Sequence, residues 1–418
     1  MKVLLINPNR YHNPPVPPLS LEYLRGALEV TGHECRILDL CFAEDVFAAL
    51  KAAVEDFAPG VAGITVRNID NGMFTENRFF LDEIRELTLR LKALGVPVVA
   101  GGAGFSFNPR GVLEYLGARW GVSGPGERAL GHLLDALEDG PPAAGTILDG
   151  WQWGADPELA FASRGEQLDY RTYLDQGGLA GFETQKGCYG TCYYCMESTG
   201  RVIFRKPESI LRELKALAGR GVYQYHLCDS EFNQDLAFCR EFLQALIASG
   251  LKIEWALYLK STPYDPEFFR LLGRSGANLV TLSLPTGPDG LRHAAQIKSL
   301  AKKNGIRLAV DYLCGFPGDT PEKVRRDLEE LKKIHPDTVG LNSYIRLYRG
   351  AVPLEACPPE ERKFLFGAVE DNHGLIRPVF YSTIGVETLR EIAGGDPLFK
   401  FEGFEQTSNY QRLNGPAR

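Results

Sequence analysis

The sequence predicts an α/β protein built from two successive series of strand–helix units, with a small region behind them. Three observations predict it. Short apolar runs of strand length alternate with segments whose apolar residues recur every three or four positions, first over residues 1–140 and again from Leu179. Glycine- and proline-bearing turns follow those runs, as expected where crossovers leave a parallel sheet. The 418 residues are 44% hydrophobic and 24% charged, an ordinary globular composition with length for two or three domains.

The first series opens with the buried-type strand Val3-Leu4-Leu5-Ile6. Leu21, Leu24 and Leu28 then fall at helical spacing, and Gly32 ends that helix. Arg36 to Leu40 and Val61 to Val66 read as the next strands. Leu81, Ile84, Leu87 and Leu91 mark a second amphipathic helix. Val96 to Ala100 is a strand running into Gly101-Gly102-Ala103-Gly104. Trp120-Gly121-Val122 is a short one, followed by Gly124-Pro125-Gly126-Glu127 and a helix. Such alternation means a doubly wound, Rossmann-like sheet, whose ligands sit beyond the carboxyl ends of the strands. Asn7-Pro8, Arg67-Asn68, Gly101-Gly102 and Gly124-Pro125-Gly126 all fall at those ends. Glycines there let a backbone approach a large or phosphate-bearing ligand, although a tight turn explains each pair alone. No G-x-G-x-x-G follows the first strand, which disfavours a nicotinamide dinucleotide.

Residues 141–178 are rich in Gly, Pro, Asp and Trp without periodicity and read as a linker. The second series spans 179–350. Strands are expected at Leu179–Thr184, Val222–Leu227, Ile253–Leu257, Asn278–Leu284, Arg307–Leu313 and Thr338–Tyr344, making six strand–helix units. Residues 351–418 mix Phe364, Phe366, Phe380, Tyr381, Phe399, Phe401 and Phe404 with charges. They either cap the second series or pack on its outside.

After the first of these strands comes Gly187-Cys188-Tyr189-Gly190-Thr191-Cys192-Tyr193-Tyr194-Cys195, a C-x3-C-x2-C run. Three thiolates on one loop can hold three irons of a [4Fe–4S] cluster and leave the fourth open. Zinc is disfavoured, since it takes four tetrahedral ligands and the closest downstream histidine, His226, lies in a strand-like stretch. The other six of nine cysteines, Cys35, Cys41, Cys228, Cys239, Cys314 and Cys357, lack disulfide-scaffold spacing. They read as buried apolar fillers in a reducing cytoplasm.

This loop, with its aromatic Tyr194, resembles that of the radical S-adenosylmethionine superfamily, whose cluster loop follows the first strand of a partial (β/α)6 barrel. Asp229-Ser230-Glu231-Phe232-Asn233 is similar to the family's D-x-x-F-N segment. Cys314-Gly315-Phe316-Pro317-Gly318-Asp319-Thr320 is similar to its G-x-P-G-E-T turn, and Ile345–Gly350 to the segment ending the sixth strand. On residues alone, Gly315–Thr320 is also a turn capped by Asp319 or Thr320. The first series resembles the cobalamin-binding domain that precedes many such enzymes. The matching pieces are Pro17–Leu24, Gly32-His33-Glu34, Asp39, Gly101–Ser106 and Gly124–Glu127, with Arg67–Asp70 similar to one branch. The methionine-synthase-like D-x-H-x-x-G is absent, so no histidine is named as a lower cobalt ligand, and His33 reads as a turn residue. One departure stands out: the family's Gly-x-Glu-Ser segment after the fourth strand reads Leu282-Ser283-Leu284-Pro285-Thr286-Gly287-Pro288-Asp289-Gly290.

The resemblance implies a [4Fe–4S] cluster on Cys188, Cys192 and Cys195, with S-adenosylmethionine beside Tyr194, Ser283, Gly315, Pro317 and Gly318. It implies cobalamin at Pro8, Ser20, Arg67, Asn68, Gly101, Gly102, Phe105, Ser106, Gly124, Gly126 and Glu127. Asp229, Glu231 and Tyr258 are the ionisable candidates for moving protons. The implied activity is methylation of an unactivated carbon of a small molecule or peptide, served by an electron donor such as flavodoxin or ferredoxin. Rearrangement, cyclisation or oxidation stays open, as does transfer of an aminocarboxypropyl group, because of the altered Ser283–Pro288 segment. A non-enzymatic cobalamin or iron–sulfur sensor is the reading of another class. The net charge of −7, without a Lys/Arg block, argues against nucleic acid. No apolar run approaches the about 18 residues of a membrane span, and the apolar start of MKVLLINPN is too short for a signal segment.

Overall fold

Val3, Leu4, Leu5 and Ile6 are wholly buried and form the middle of strand β1 (Lys2–Asn7). The structure, a computed structural model, describes residues 1–154, 164–192, 194–348, 360–370 and 372–401. One compact unit comprises Met1–Asn71, Arg78–Gly178 and Arg212–Val222; the other comprises Gly72–Asn77, Leu179–Leu211 and Tyr223–Arg418.

In the first unit β1 is joined by β2 (Glu34–Asp39), β3 (Val61–Thr65), β4 (Val98–Gly101), β5 (Trp120–Ser123) and β6 (Ile147–Asp149). The order is β2-β1-β3-β4-β5-β6, with every pair parallel. The direction of winding reverses between β1 and β3, which marks the ligand-binding crevice of such sheets. Side-chain caps start two of the crossover helices, whereas Leu19–Val30, Leu81–Ala93 and Glu127–Asp139 begin without one. The Asp45 side chain accepts from the backbone N of Phe47 and Ala48, and Asn108 from that of Gly111 ahead of Pro109–Leu116. Leu50, Val54 and Phe57 are the buried face of the helix Val46–Phe57.

The stretch expected to be a linker differs from that expectation. It holds β6, paired to β5 through Gly121↔Ile147 and Ser123↔Asp149, and the helices Gly150–Trp153 and Tyr170–Asp175. Three half-buried strand residues are too few to show a period.

The second unit carries β7 (Ala180–Phe182), β8 (Gln185–Cys188), β9 (Arg201–Phe204), β10 (Gln224–Leu227), β11 (Glu254–Leu259), β12 (Ala277–Pro285), β13 (Arg307–Leu313) and β14 (Thr338–Asn342). After them come β15 (Ile345–Arg346), β16 (Leu365–Gly367), β17 (Val379–Tyr381) and β18 (Phe399–Phe401). The main sheet runs β7-β10-β11-β12-β13-β14-β18, all parallel. The six expected strands are there in order, and β18 adds a seventh from the C-terminal region. β8 and β9 form an antiparallel hairpin, and β15, β17 and β16 a small antiparallel sheet.

Strand alternation separates two faces of the main sheet. Phe182, Tyr225, Trp255, Leu257, Val280, Val310 and Leu341 are buried on one, with Phe242 from the helix Leu236–Ala248 packing on it. Register places His226 beside Ala256, Tyr258 beside Thr281, Ser283 beside Asp311, and Leu313 beside Asn342 on the other. A polar face on a parallel sheet is the mark of an inner surface facing a ligand rather than a second helix layer.

Candidate functional site

Cys188 ends β8 and is buried, whereas Cys192 and Cys195 are exposed on the connection between the hairpin's strands. Thr199 Oγ1 accepts from Cys188 N at 3.1 Å, and Cys195 N donates to Cys192 O at 3.1 Å. Gly190 lies between two sulfurs: a Cβ there would stand 3.1 Å from Cys188 Sγ and 3.8 Å from Cys192 Sγ. Cys188 Sγ also accepts from Gly190 N and Gln234 Nε2, both at 3.2 Å. Two N–H donors aimed at one sulfur suit a thiolate ligand, so the donor set fits an iron–sulfur cluster. Among the described residues no three His, Cys, Asp or Glu side chains converge on one ion; a cluster's separate irons do not require them to.

Tyr194 packs on Phe316 at 4.9 Å between ring centroids. Burial first, then the Cys192 thiol, pushes its hydroxyl above the usual tyrosine range. The cluster loop thus meets the turn after β13. In that turn Gly315 has φ +88°, and a Cβ would lie 2.3 Å from Ser343 O, while Pro317 and Gly318 are exposed. Thr320 caps the helix Pro321–Ile334 by accepting from Lys323 N. Asp319 accepts instead from Phe316 N at 3.0 Å and from Thr286 Oγ1 at 2.6 Å. Asp327 takes Gly287 N and the Tyr312 hydroxyl, each at 2.9 Å. The altered segment at the end of β12 is therefore anchored by two aspartates that follow β13. Ser283 is half-buried on the polar face.

The segment after β10 works as a stitch. Asp229, only 4% exposed, accepts from Thr184 N at 2.8 Å, Gln185 N at 3.3 Å and the Thr184 hydroxyl. Burial pushes its carboxyl up to about 7 against those hydrogen bonds. Phe232 enters the core against Trp255 and Phe268. Asn233 accepts from Lys260 N at 2.7 Å and donates to Lys260 O and Pro263 O. Asp229 thus ties β10's exit to β7's, and Asn233 ties it to β11's. Glu231 behaves differently: its carboxylate stands 3.8 Å from Lys260 Nζ, and burial raises it above the usual range despite that cation. Tyr258 is half-buried, its ring 5.7 Å from that of His226. Sequence reasoning missed Gln234 and Lys260. Lys260 carried one signal, a charge directly after the apolar strand β11.

Cys35, Cys41, Cys239 and Cys314 are buried as expected, but Cys228 is exposed, because it follows the end of β10. Cys357 and Phe404 lie outside the described residues. Phe366 and Phe380 pack around Phe74 and Tyr344, which stack at 3.7 Å. Phe399 and Phe401 extend the main sheet as β18.

In the first unit, Pro8, Asn9, Arg10, Thr65, Arg67 and Asn68 line a cleft between the ends of β1 and β3. Arg67 and Asn68 are exposed there, and Pro8 is buried. At the end of β4, Gly102 has φ +104°, and a Cβ would stand 2.5 Å from Val66 O; a Cβ on Gly124 would meet the Trp151 ring at 2.6 Å and one on Gly126 would meet Leu24 at 2.9 Å. The protein's own packing thus demands these glycines, and it leaves the edge formed by Gly101 and Gly102 free of side chains. Ser106 binds that edge together, donating to Gly102 O and accepting from Gly124 N, both at 2.9 Å. Phe105 is wholly buried against Gly121, and Glu127 is buried too, so neither lies on the exposed rim; Ser20 is exposed at the start of Leu19–Val30. Asp39 accepts from Asn7 Nδ2 and the Tyr173 hydroxyl. An edge bare of side chains at Gly101 and Gly102, in the same unit as a cleft where Arg10, Arg67 and Arg78 outnumber the one acid, Glu83, fits a ligand with anionic groups such as cobalamin.

The B12 binding domain family matches residues 13–134 and the Radical SAM superfamily matches residues 182–331. Tryptophan 2-C-methyltransferase of Streptomyces laurentii is 28% identical, over 82% of this chain and 72% of its own. The solved structure of the radical S-adenosylmethionine methyltransferase TsrM from Kitasatospora setae, with tryptophan and a S-adenosylmethionine analogue bound, superposes with a TM-score of 0.87. It is 26% identical, covering 98% of this chain and 93% of that one. The cobalamin-dependent S-adenosylmethionine radical enzyme OxsB shares the fold alone, at a TM-score of 0.62 and 15% identity over 79% of this chain and 52% of that one. With a B12 binding domain ahead of a radical domain and this likeness along nearly its whole length, the chain belongs to the cobalamin-dependent radical S-adenosylmethionine methyltransferases.

Proposed function

We propose that the chain methylates a carbon of an indole-bearing amino acid, tryptophan or a close relative of it. The likeness to the tryptophan-bound TsrM structure over 98% of the chain carries this reading. When bound, the cluster, S-adenosylmethionine and cobalamin supply the methyl group and the electron chemistry of its transfer. Cys188, Cys192 and Cys195 bind the cluster, and Tyr194 with the Gly315–Gly318 turn shapes the wall beside it. Arg67, Asn68 and the Gly101–Gly102 edge hold cobalamin. Glu231, raised by burial and next to Lys260, is the group that takes the proton released when a ring carbon is methylated. Asp229 keeps a structural task, because its oxygens are engaged by Thr184 and Gln185. Electrons come from a flavodoxin or ferredoxin in the cytoplasm, and neither a nucleic acid nor a membrane takes part. Among the described residues no helix is long and apolar enough to cross a membrane.

The test is anaerobic turnover of protein reconstituted with iron, sulfide and hydroxocobalamin, given a reductant, S-adenosylmethionine and tryptophan. Methyltryptophan and S-adenosylhomocysteine are expected in equal amounts by mass spectrometry. A protein that holds both cofactors yet leaves tryptophan and its indole relatives unmethylated would overturn the substrate assignment.

A further inference from the structure

Gln234 follows the stitched Asn233 and reaches back to the cluster loop. Its Oε1 accepts from Tyr189 N at 3.2 Å and from Lys260 Nζ at 2.9 Å. Neither a backbone N–H nor an ammonium can accept, so the amide oxygen is committed to them. That fixes the orientation an isolated amide would leave open, and the Nε2–H must face Cys188 Sγ, 3.2 Å away. The backbone around it is fixed as well. Asn233, wholly buried, holds the Lys260 backbone at both its N and its O. Lys260 itself stands between Gln234 and Glu231.

A ligating thiolate shares its charge with the iron–sulfur cluster. A hydrogen-bond donor to that sulfur stabilises the reduced state, which carries one more negative charge. We propose that Gln234, oriented by Lys260, is a positioning residue that raises the reduction potential of the cluster by donating to the Cys188 sulfur. This rests on the cluster assignment and goes beyond it, because it names what tunes the cluster. The amide is uncharged, so its effect is directional and is lost when the N–H is lost. The Lys260 charge acts through space too, and the part of its effect that passes through the amide vanishes with the amide.

The experiment uses the full chain reconstituted anaerobically, as wild type, Gln234→Leu, Gln234→Met, Lys260→Met and Gln234→Leu/Lys260→Met. Iron and sulfide are counted first, and the cluster's midpoint potential is then read by potentiometric titration followed by electron paramagnetic resonance. With iron content retained, both Gln234 variants are expected at a more negative midpoint than wild type. The shift caused by Lys260→Met is expected to shrink in the Gln234→Leu background. A wild-type midpoint in the Gln234 variants overturns the proposal, and additive shifts overturn the role of Lys260 in it. Loss of iron from both Gln234 variants overturns it too, because the contact would then hold the cluster rather than tune it. A wild type that takes up no cluster is a separate outcome and sinks the cluster assignment itself.

Discussion

Asp229 shows how a residue with the chemistry of a proton carrier can also be tied into the packing. A carboxylate at the end of a barrel strand is a reasonable proton carrier from sequence, yet here it is buried and receives three donors from Thr184 and Gln185. Those donors favour the ionised form, and burial disfavours it. Burial is the larger effect, raising the carboxyl from 3.8 to about 7. Between those values the folded chain keeps a proton that the unfolded chain has released, so this group's contribution to stability falls as pH rises through the window. Asparagine has nearly the same shape and does not titrate. Asp229→Asn should gain on wild type between about pH 5 and about pH 8, by on the order of 1–3 kcal/mol. Urea denaturation of both proteins at the two pH values checks this. A variant that instead loses ground as pH rises would show that the three donors prevail. The motif around Asp229 was legible in the sequence, but its partners were not. Lys260 and Cys188 are 26 and 46 residues from the atoms of Gln234 that they meet, and no local pattern encodes such pairings.

Elements were legible in proportion to their length and burial. β12, nine residues long and largely buried, and β13, seven residues long, read as strands from their apolar runs alone. The three-residue strands β6 and β18 did not, since each joins its sheet mainly through backbone pairing with a stronger neighbour. The end of β6 depends on Gly150. A Cβ there would fall 1.8 Å from Pro125 O, a backbone atom that cannot swing aside. Gly131, inside the helix Glu127–Asp139, is the contrasting case: its Cβ would meet Leu28 at an ordinary 3.9 Å. Gly150→Ala should therefore destabilise by about 1–3 kcal/mol and loosen the β5–β6 pairing. Gly131→Ala should stabilise by about 0.5–1 kcal/mol through helix propensity. Thermal melting gives both signs, and amide exchange at Gly121, which donates to Thr146 O, reports on the pairing. A Gly150→Ala protein with wild-type melting and exchange would mean that the loop at Pro125 yields easily.

At the scale of the whole chain, the first unit gathers segments far apart in sequence around one buried cation. Arg164, 1% exposed, donates to Glu22 Oε2 at 2.9 Å and to Glu213 and the Tyr170 hydroxyl. Tyr23 donates to Glu213 at 2.8 Å, and Gly165 N to Glu22 at 2.6 Å. Glu22 and Tyr23 belong to the segment whose likeness to cobalamin domains was read from sequence, and the structure gives their side chains this internal task. The net value of such a cluster is small, because desolvating three charges offsets most of their attraction. Its asymmetry is large. Arg164→Met leaves two carboxylates buried without their cation and should cost about 3–5 kcal/mol. Replacing all three, as Arg164→Met with Glu22→Leu and Glu213→Leu, removes the charges together and should return most of that loss. Urea midpoints for the two proteins separate the ideas. If Arg164→Met costs less than about 1 kcal/mol, water reaches the carboxylates, and the cluster does not hold the distant segments together. If the single change is severe and the triple change restores stability, the cluster's weight lies in holding Glu22, Arg164 and Glu213 in this arrangement, where both carboxylates share the one cation.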